Sequence, residues 1–480
     1  MNARSHSHAP AGFIAALLAL ALVIGSQAAP ITKAATGTDL TDGTSWSGST
    51  APGSGDVATW VSTSLGAGLT LGTSRSWSGI SVASAVSGIG VTGAGTLTLG
   101  SGGIDMASSS VDGSLGMPIA LGANQTWTVN SGRTLTASGI ISGALMVLTK
   151  AGSGTLRIQN AANTFSGGTI INAGQLTVDL QANAALGTGP VTLNGGRLFL
   201  QRINAANALT VNGGDLWPEN GFGDSLSGPV TLNSNLVIQG PGYATMTFSG
   251  SISGVGGLTL NGQGPVVLAV ANSYTGPTSV TACTLECKNK DALGSGALSI
   301  SNTTNSMVKL TYTGTRSIAS LTLGGIPQIG GTHGSTASTA TTKNDTCFSG
   351  TGTVTVPLSS AKDLLTFSFG TLGAAAVGAS TVNLDVPIGT DRTALVPTFT
   401  LSPGATCSPA SGVARNFNGA QTYTVTAQDG STKPYTVTVT EAVLPDIFTW
   451  ATAASGNSTC IGVLFPAPPV RMKRNLSPSL

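Results

Sequence analysis

The sequence predicts an all-β protein whose larger part is a solenoid of stacked turns. Three observations predict it: a glycine-rich, charge-poor composition, short strands in alternation, and a long internal repeat. Of 480 residues, 67 are Gly; 8% are charged and 40% apolar, with a mean hydropathy of +0.27. Charged residues usually make up about a quarter of a globular chain. Low charge with abundant Gly could mean disorder, but disordered chains are also poor in apolar residues, and this one is not. Its Leu, Val, Ile and Ala are separated by Thr, Ser, Asn and Gly, a mixture that suits short strands and tight turns. Helices fit badly, because each interior Gly costs up to about 1 kcal/mol relative to Ala.

The chain opens with the pattern of a secretory signal. Arg4 supplies a basic start, Phe13 to Ile24 an apolar run, and Ser26, Ala28 and Ala29 the small residues. Cleavage after Ala28 is expected, making residues 1–28 a signal peptide. The apolar run falls short of the roughly 20 residues that cross a bilayer. No membrane span is expected once the signal is removed.

From about residue 36 to 330 the strands follow too closely for intervening helices. Ile119 to Gly143 aligns with Val230 to Gly254, pairing Leu121 with Leu232 and Asn124 with Asn235. The match continues from Leu148–Val178 to Leu258–Cys287. There Asn163, Phe165, Gly167 and Thr169 meet Asn272, Tyr274, Gly276 and Thr278. Further on, Ala185-Leu186-Gly187 meets Ala292-Leu293-Gly294. Two copies of about 110 residues result, spanning about 119–214 and 230–325. Within them apolar residues alternate, as in Leu156 and Ile158, Leu176 and Val178, or Val191 and Leu193. Turn signals follow, among them Gly167-Gly168, Asn194-Gly195-Gly196 and Asn212-Gly213-Gly214. A sandwich, a propeller and a coil of stacked turns all use such strands. The coil fits best: its corners need the permissive φ of Gly, its interior takes ladders of Leu, Val and Ile, and neighbouring turns complete each other's core. At about 20 to 25 residues per turn, the region makes roughly a dozen turns.

Residues 331–361 read as a linker or last strands, after which the texture changes. Strands are expected at Leu364–Phe369, Val382–Val386, Thr398–Leu401, Thr422–Gln428 and Tyr435–Thr440. They are punctuated by Pro387, Pro397, Pro403 and Asp429-Gly430. This spacing predicts a small immunoglobulin-like sandwich over 362–441. Residues 442–480 read as a tail. Asp446 to Asn457 looks like the opening of another Trp-containing segment, and the end as a truncated or frame-shifted module.

The segment Gly152 to Val178, GSGTLRIQNAANTFSGGTIINAGQLTV, closely resembles the autotransporter-associated β-strand repeat. The second copy departs from the pattern at Pro265, Pro277 and Cys283. The resemblance implies a right-handed parallel β-helix in an exported passenger, secreted or held at the cell surface, usually without chemistry. The run LSPGATCSPASG with NFNGAQTYTVTAQDGSTKPYTVTVT resembles bacterial Ig-like modules of surface proteins. A terminal membrane barrel is not legible, so the repeat resemblance is not read as self-transport.

The search for chemistry assigns no catalytic, cofactor-binding or metal-binding residue. Net charge is +2, and the cluster Arg471, Lys473 and Arg474 reads as a solvated tail, so no nucleic acid partner is expected. Five cysteines, Cys283, Cys287, Cys347, Cys407 and Cys460, are too sparse for a disulfide scaffold. Cys283 aligns with Gly174 and Cys287 with Val178, a turn and a core position. His333, in GGTHGST, is the only histidine beyond the signal and reads as an exposed loop residue, which leaves no triad or His-pair metal site. Asp105, Asp112, Asp179 and Asp215 form no calcium-binding series. The densest charged region holds Asp215, Glu219 and Asp224 with Arg197, Arg202 and Trp217. An extracellular β-helix polysaccharide lyase or hydrolase needs such carboxylates on one face. A polar loop excursion is the preferred reading. Trp46, Trp60, Trp77, Trp127 and Trp217 could stack on sugars in a glycan-binding protein, although packing is the commoner role. The sequence thus leads to an exported stalk or adhesin without catalysis. It is expected to be monomeric and to have surface glycans or other cell-surface proteins as partners.

Overall fold

A computed structural model describes residues 29–179, 183–219, 223–240 and 244–443. The predicted signal segment, Cys460 and the tail beyond residue 443 lie outside the described residues. The chain forms two compact units, one made of residues up to 276 with 281–292, the other of 277–280 with the residues from 293 onward.

The first unit is a parallel β-solenoid, as the alternation and the Gly-rich corners predict. One sheet stacks strands from Ala29–Thr32 through Gly168–Ile171, Val191–Leu193 and Leu209–Val211 to Ile252–Gly254. A second contains Thr134–Ala137, Thr155–Ile158, Gln175–Val178, Arg197–Leu200, Asp215–Pro218, Leu236–Ile238 and Leu258–Leu260. A third begins at Asn204–Ala205 and takes in Asp224–Leu226, Met246–Phe248, Val266–Leu268 and Thr284–Cys287. Partners along the stack are 18 positions apart at Val191 and Leu209 and 24 at Gly79 and Gly103. The first turn is longer, pairing Ala29 with Asp56.

Period-two alternation sends every second side chain inward. Leu156, Ile158, Ile171, Leu176, Val178, Val191 and Leu193 are all buried. Each such side chain contributes about 1.5–3 kcal/mol of transfer free energy. At one end Trp46, Trp60 and Trp77 form a cluster with centroids 5.6 to 6.4 Å apart. Asparagines stack outside: the Asn194 amide donates to Asn172 Oδ1 (2.9 Å), Asn212 to Asn194 (2.7 Å) and Asn233 to Asn212 (2.8 Å).

In the second unit Thr278–Val280, Leu298–Ile300 and Leu321–Leu323 stack in parallel. Met307–Leu310 pairs with Phe348–Gly350, and Thr315–Ser317 with Thr353–Val356. His333 is not the exposed loop residue the sequence suggests. It sits on strand Gly331–Gly334, antiparallel to Thr353–Val356, and is 1% exposed. Its Nε2 lies 2.9 Å from the Ile329 carbonyl. The Gly-rich flanks mislead because they let the strand approach its neighbour closely.

Strands from Leu364 to Glu441 form a two-stranded sheet, Leu364–Ser368 with Thr398–Leu401, and a five-stranded one in which Thr381–Val386 runs parallel to the last strand, Thr432–Glu441. Phe367, Phe369, Phe417, Tyr423, Tyr435 and Val437 fill the core between them. The Tyr435 hydroxyl accepts from Leu364 N (3.2 Å) and donates to Asp363 (3.2 Å). No helix among the described residues is long and apolar enough to cross a membrane.

Candidate functional site

Of the charged residues singled out in the sequence, Arg197, Arg202, Asp215 and Glu219 gather on the outer face of the second sheet. Here Leu156, Leu176, Leu198 and Leu216 pair in register and point inward. Their neighbours must then face outward, in two columns: Thr155, Gln175, Arg197 and Asp215; and Arg157, Thr177, Phe199 and Trp217. Asp179, Gln201 and Glu219 follow the strand ends. Asp215 and Trp217 therefore belong to a strand rather than to a polar loop excursion, and Asp224 opens another strand. The sequence Asp-Leu-Trp-Pro reads as a loop because it is polar and Pro-terminated, yet its Leu216 and Pro218 supply the inward side.

Arg197 donates through Nε and Nη2 to Asp215 Oδ2 (3.0 and 2.8 Å), and Gln239 reaches the same oxygen at 2.5 Å. The guanidinium also lies over the Trp217 ring, 3.6 Å from its centroid, a cation–π contact. Arg157 and Gln159 donate to Asp179 Oδ2 (2.7 and 2.8 Å). Gln201 donates to Glu219 Oε1 (3.2 Å), and Arg202 Nε stands 3.8 Å from Glu219 Oε2. Each carboxylate is thus held by its own donors. Glycosidase carboxyl pairs stand about 5–9.5 Å apart, whereas the α-carbons of Asp215 and Glu219, four positions apart in extended chain, are separated by about 13 Å.

Asp224 is not on this face. It is 1% exposed and accepts from Ile203 N (2.7 Å) and Glu219 N (3.2 Å). Burial pushes its carboxyl up to about 6 against the opposing pull of those backbone donors. Four of the five candidate sugar-stacking tryptophans are likewise interior. Trp46, Trp60, Trp77 and Trp127 are at most 2% exposed, and a buried ring cannot meet a glycan. Trp217 alone of the five stands on the outer face.

A hollow of about 370 Å³ opens at the start of these strands, lined by Ser153, Thr155, Gly174, Gln175, Gly196, Arg197 and Asp215. Below it lies Lys150, fully buried, whose ammonium donates to the carbonyls of Ala151 (2.6 Å), Gly152 (2.7 Å) and Ala173 (3.2 Å). Burial lowers its pKa to about 8. The sequence reading missed Lys150, Ser153 and Gln175. The recurrence Asn-x-Gly followed by Gln175, Arg197 or Asp215 is the signal that marks this corner. Cys283 and Cys287 are both buried thiols outside any disulfide; burial raises Cys283 to about 12 and Cys287 further. Among the described residues no group of three His, Cys, Asp or Glu could hold a metal ion.

Residues 148–178 and 253–286 match the passenger-associated-transport-repeat family. The chain carries passenger-associated transport repeats. These repeats coincide with the segments that the internal alignment pairs, and both lie in the solenoid. Residues 364–439, the two-sheet module, match the family described as SGBP, N-terminal. The adhesin BmaC autotransporter of Brucella suis biovar 1 (strain 1330) is 27% identical over 50% of this chain and 10% of its own length. The passenger-repeat chain thus spans about a tenth of that relative. Among solved structures, a candidate glycoside hydrolase from Bacteroides thetaiotaomicron is similar at 38% identity over 21% of this chain and 30% of its own, with a TM-score of 0.18. A secreted-protein candidate from Bacteroides fragilis is similar at 17% identity over 18% and 98%, with a TM-score of 0.15. At those scores neither bears on chemistry.

Proposed function

We propose that this chain is a non-catalytic passenger, exported to the cell surface or the medium, where it serves as a stalk or adhesin that meets surface glycans or other cell-surface proteins. The observation that carries the reading is the passenger repeat built into a solenoid whose second sheet carries paired charges on its outer face. A filled apolar interior gives rigidity and reach. Asp215 and Glu219 are engaged by Arg197 and Arg202. The likeness to an adhesin autotransporter supports the surface role, and the SGBP-type module supports contact with material outside the cell.

Fractionation of cells expressing the tagged chain, with protease shaving of intact cells, tests localisation. Loss of the tag on shaving, with residues 1–28 absent from the mature N-terminus, is expected. Recovery from cytosol alone with an intact N-terminus overturns the reading. Depolymerisation assays on a polysaccharide panel test catalysis. Product release abolished by Asp215→Asn or Glu219→Gln establishes the lyase or hydrolase alternative instead.

A further inference from the structure

Three successive turns pass from the first sheet to the second through one kind of corner: Asn172-Ala173-Gly174, Asn194-Gly195-Gly196 and Asn212-Gly213-Gly214. The third residue of each has positive φ: +66°, +70° and +88°. A Cβ on Gly174 would meet Gly152 O at 2.3 Å, one on Gly196 would meet Gly174 O at 2.4 Å, and one on Gly214 would meet Gly196 O at 2.5 Å. No side chain can grow from this line of backbone. The hollow beside it is therefore built by the stacking itself, with Gln175, Arg197 and Asp215 as one wall, contributed by consecutive turns about 4.8 Å apart.

Resting on the surface-adhesin reading and deepening it, we infer that this corner groove binds an uncharged, linear glycan lying along the stacking direction. The groups left over in the wall suit hydroxyls. Arg197 uses Nε and Nη2 on Asp215 Oδ2, and Gln175 uses Nε2 on Thr177. Arg197 Nη1, Asp215 Oδ1 and Gln175 Oε1 make no hydrogen bond within the described residues, so donor and acceptors stand side by side. A vicinal diol donates and accepts at once, and Ser153 and Thr155 add two hydroxyls of their own. Arg197 and Asp215 cancel in charge, so the wall offers nothing to recruit an anionic polymer. It has no apolar lining for a lipid or an aliphatic peptide side chain.

The test uses the purified chain, with neutral hexasaccharides (cellohexaose, laminarihexaose, mannohexaose) and anionic hexagalacturonate as probes, followed by calorimetry. Ser153→Trp fills the hollow from an exposed position, and Gln175→Ala deletes one acceptor. Thermal unfolding of each variant checks that the fold survives. A neutral hexasaccharide that binds, and binds at least about tenfold more weakly to Ser153→Trp, supports the groove; the smaller loss expected for Gln175→Ala is of the size of one hydrogen bond. Binding unchanged in both variants, preference for hexagalacturonate, or no binding of any probe overturns it. Surface shaving and fractionation decide the passenger reading independently, so a failed groove and a failed passenger are told apart.

Discussion

The two copies of the passenger repeat keep one device and exchange another. In the first, Asn163 accepts from Ile141 N (2.7 Å) and donates to Ala185 O (3.0 Å). In the second, Asn272 accepts from Ile252 N (2.7 Å) and donates to Ala292 O (2.6 Å). Each amide bridges two backbone groups from neighbouring turns, and beside it lies a buried ring, Phe165 in one copy and Tyr274 in the other. The following corner is different. The first copy pairs Gly174, at φ +66°, with the ammonium of Lys150; the second has Cys283 there, without positive φ, and Leu260 in place of the lysine. A Cβ on Gly174 would come within 2.9 Å of Lys150 Nζ and within 2.3 and 2.4 Å of the carbonyl oxygens of Gly152 and Gly154, so a side chain at this corner requires both the lysine and the backbone to shift. What must be conserved between turns is the satisfaction of buried backbone groups. Corner chemistry is free to change when both of its members change together.

The largest effect is expected at the shared device. Asn163→Ala leaves a buried N–H and a buried carbonyl without partners and should cost about 2–5 kcal/mol, measured by denaturant unfolding. Asn272→Ala should cost a similar amount; a cost several-fold smaller breaks the equivalence of the copies. Next, Gly174→Cys alone should destabilise by about 2–4 kcal/mol through backbone strain and contact with the lysine. Adding Lys150→Leu should recover about 1–2 kcal/mol in a double-mutant cycle. Strict additivity would mean the exchange in the second copy is coincidental.

A smaller effect separates the buried carboxylate from the outer face. Asp224 titrates near 6 in the folded chain, above the roughly 3.9 of an unfolded aspartate. Between those values the folded state binds more protons, so acidification from pH 7 toward pH 4 should stabilise the wild type relative to Asp224→Asn, by about 1–3 kcal/mol. A flat difference between the two would show that the carboxyl is solvated. Smallest of all, Asn194→Ala breaks two rungs of the exposed asparagine stack and should cost about 0.5–1 kcal/mol in thermal melts.

Much of this was legible in the residues. The pairing of Asn163 with Asn272 and of Phe165 with Tyr274 stands out on the page because the same interior must be built twice. The candidate site was half legible: Arg197, Asp215 and Trp217 were found by charge density and aromaticity. Lys150 was not, since a lone lysine in a strand reads as an outward charge and nothing local announces the three carbonyls that hold it. Arg157 and Asp179, 22 positions apart, could be joined only by the register of stacked strands.

The sequence alone determined that this is an all-β chain of stacked turns, because alternation, glycine spacing and strand propensity are local properties that act over a few residues. Only the tertiary structure decided which polar groups face water. Asp215 lies on the outer wall while Asp224, His333 and Lys150 are enclosed. The physical reason is that one turn cannot bury anything by itself. Its inside and outside are settled by neighbours typically 18 to 24 positions away, which bring the backbone partners that a buried charge or amide requires.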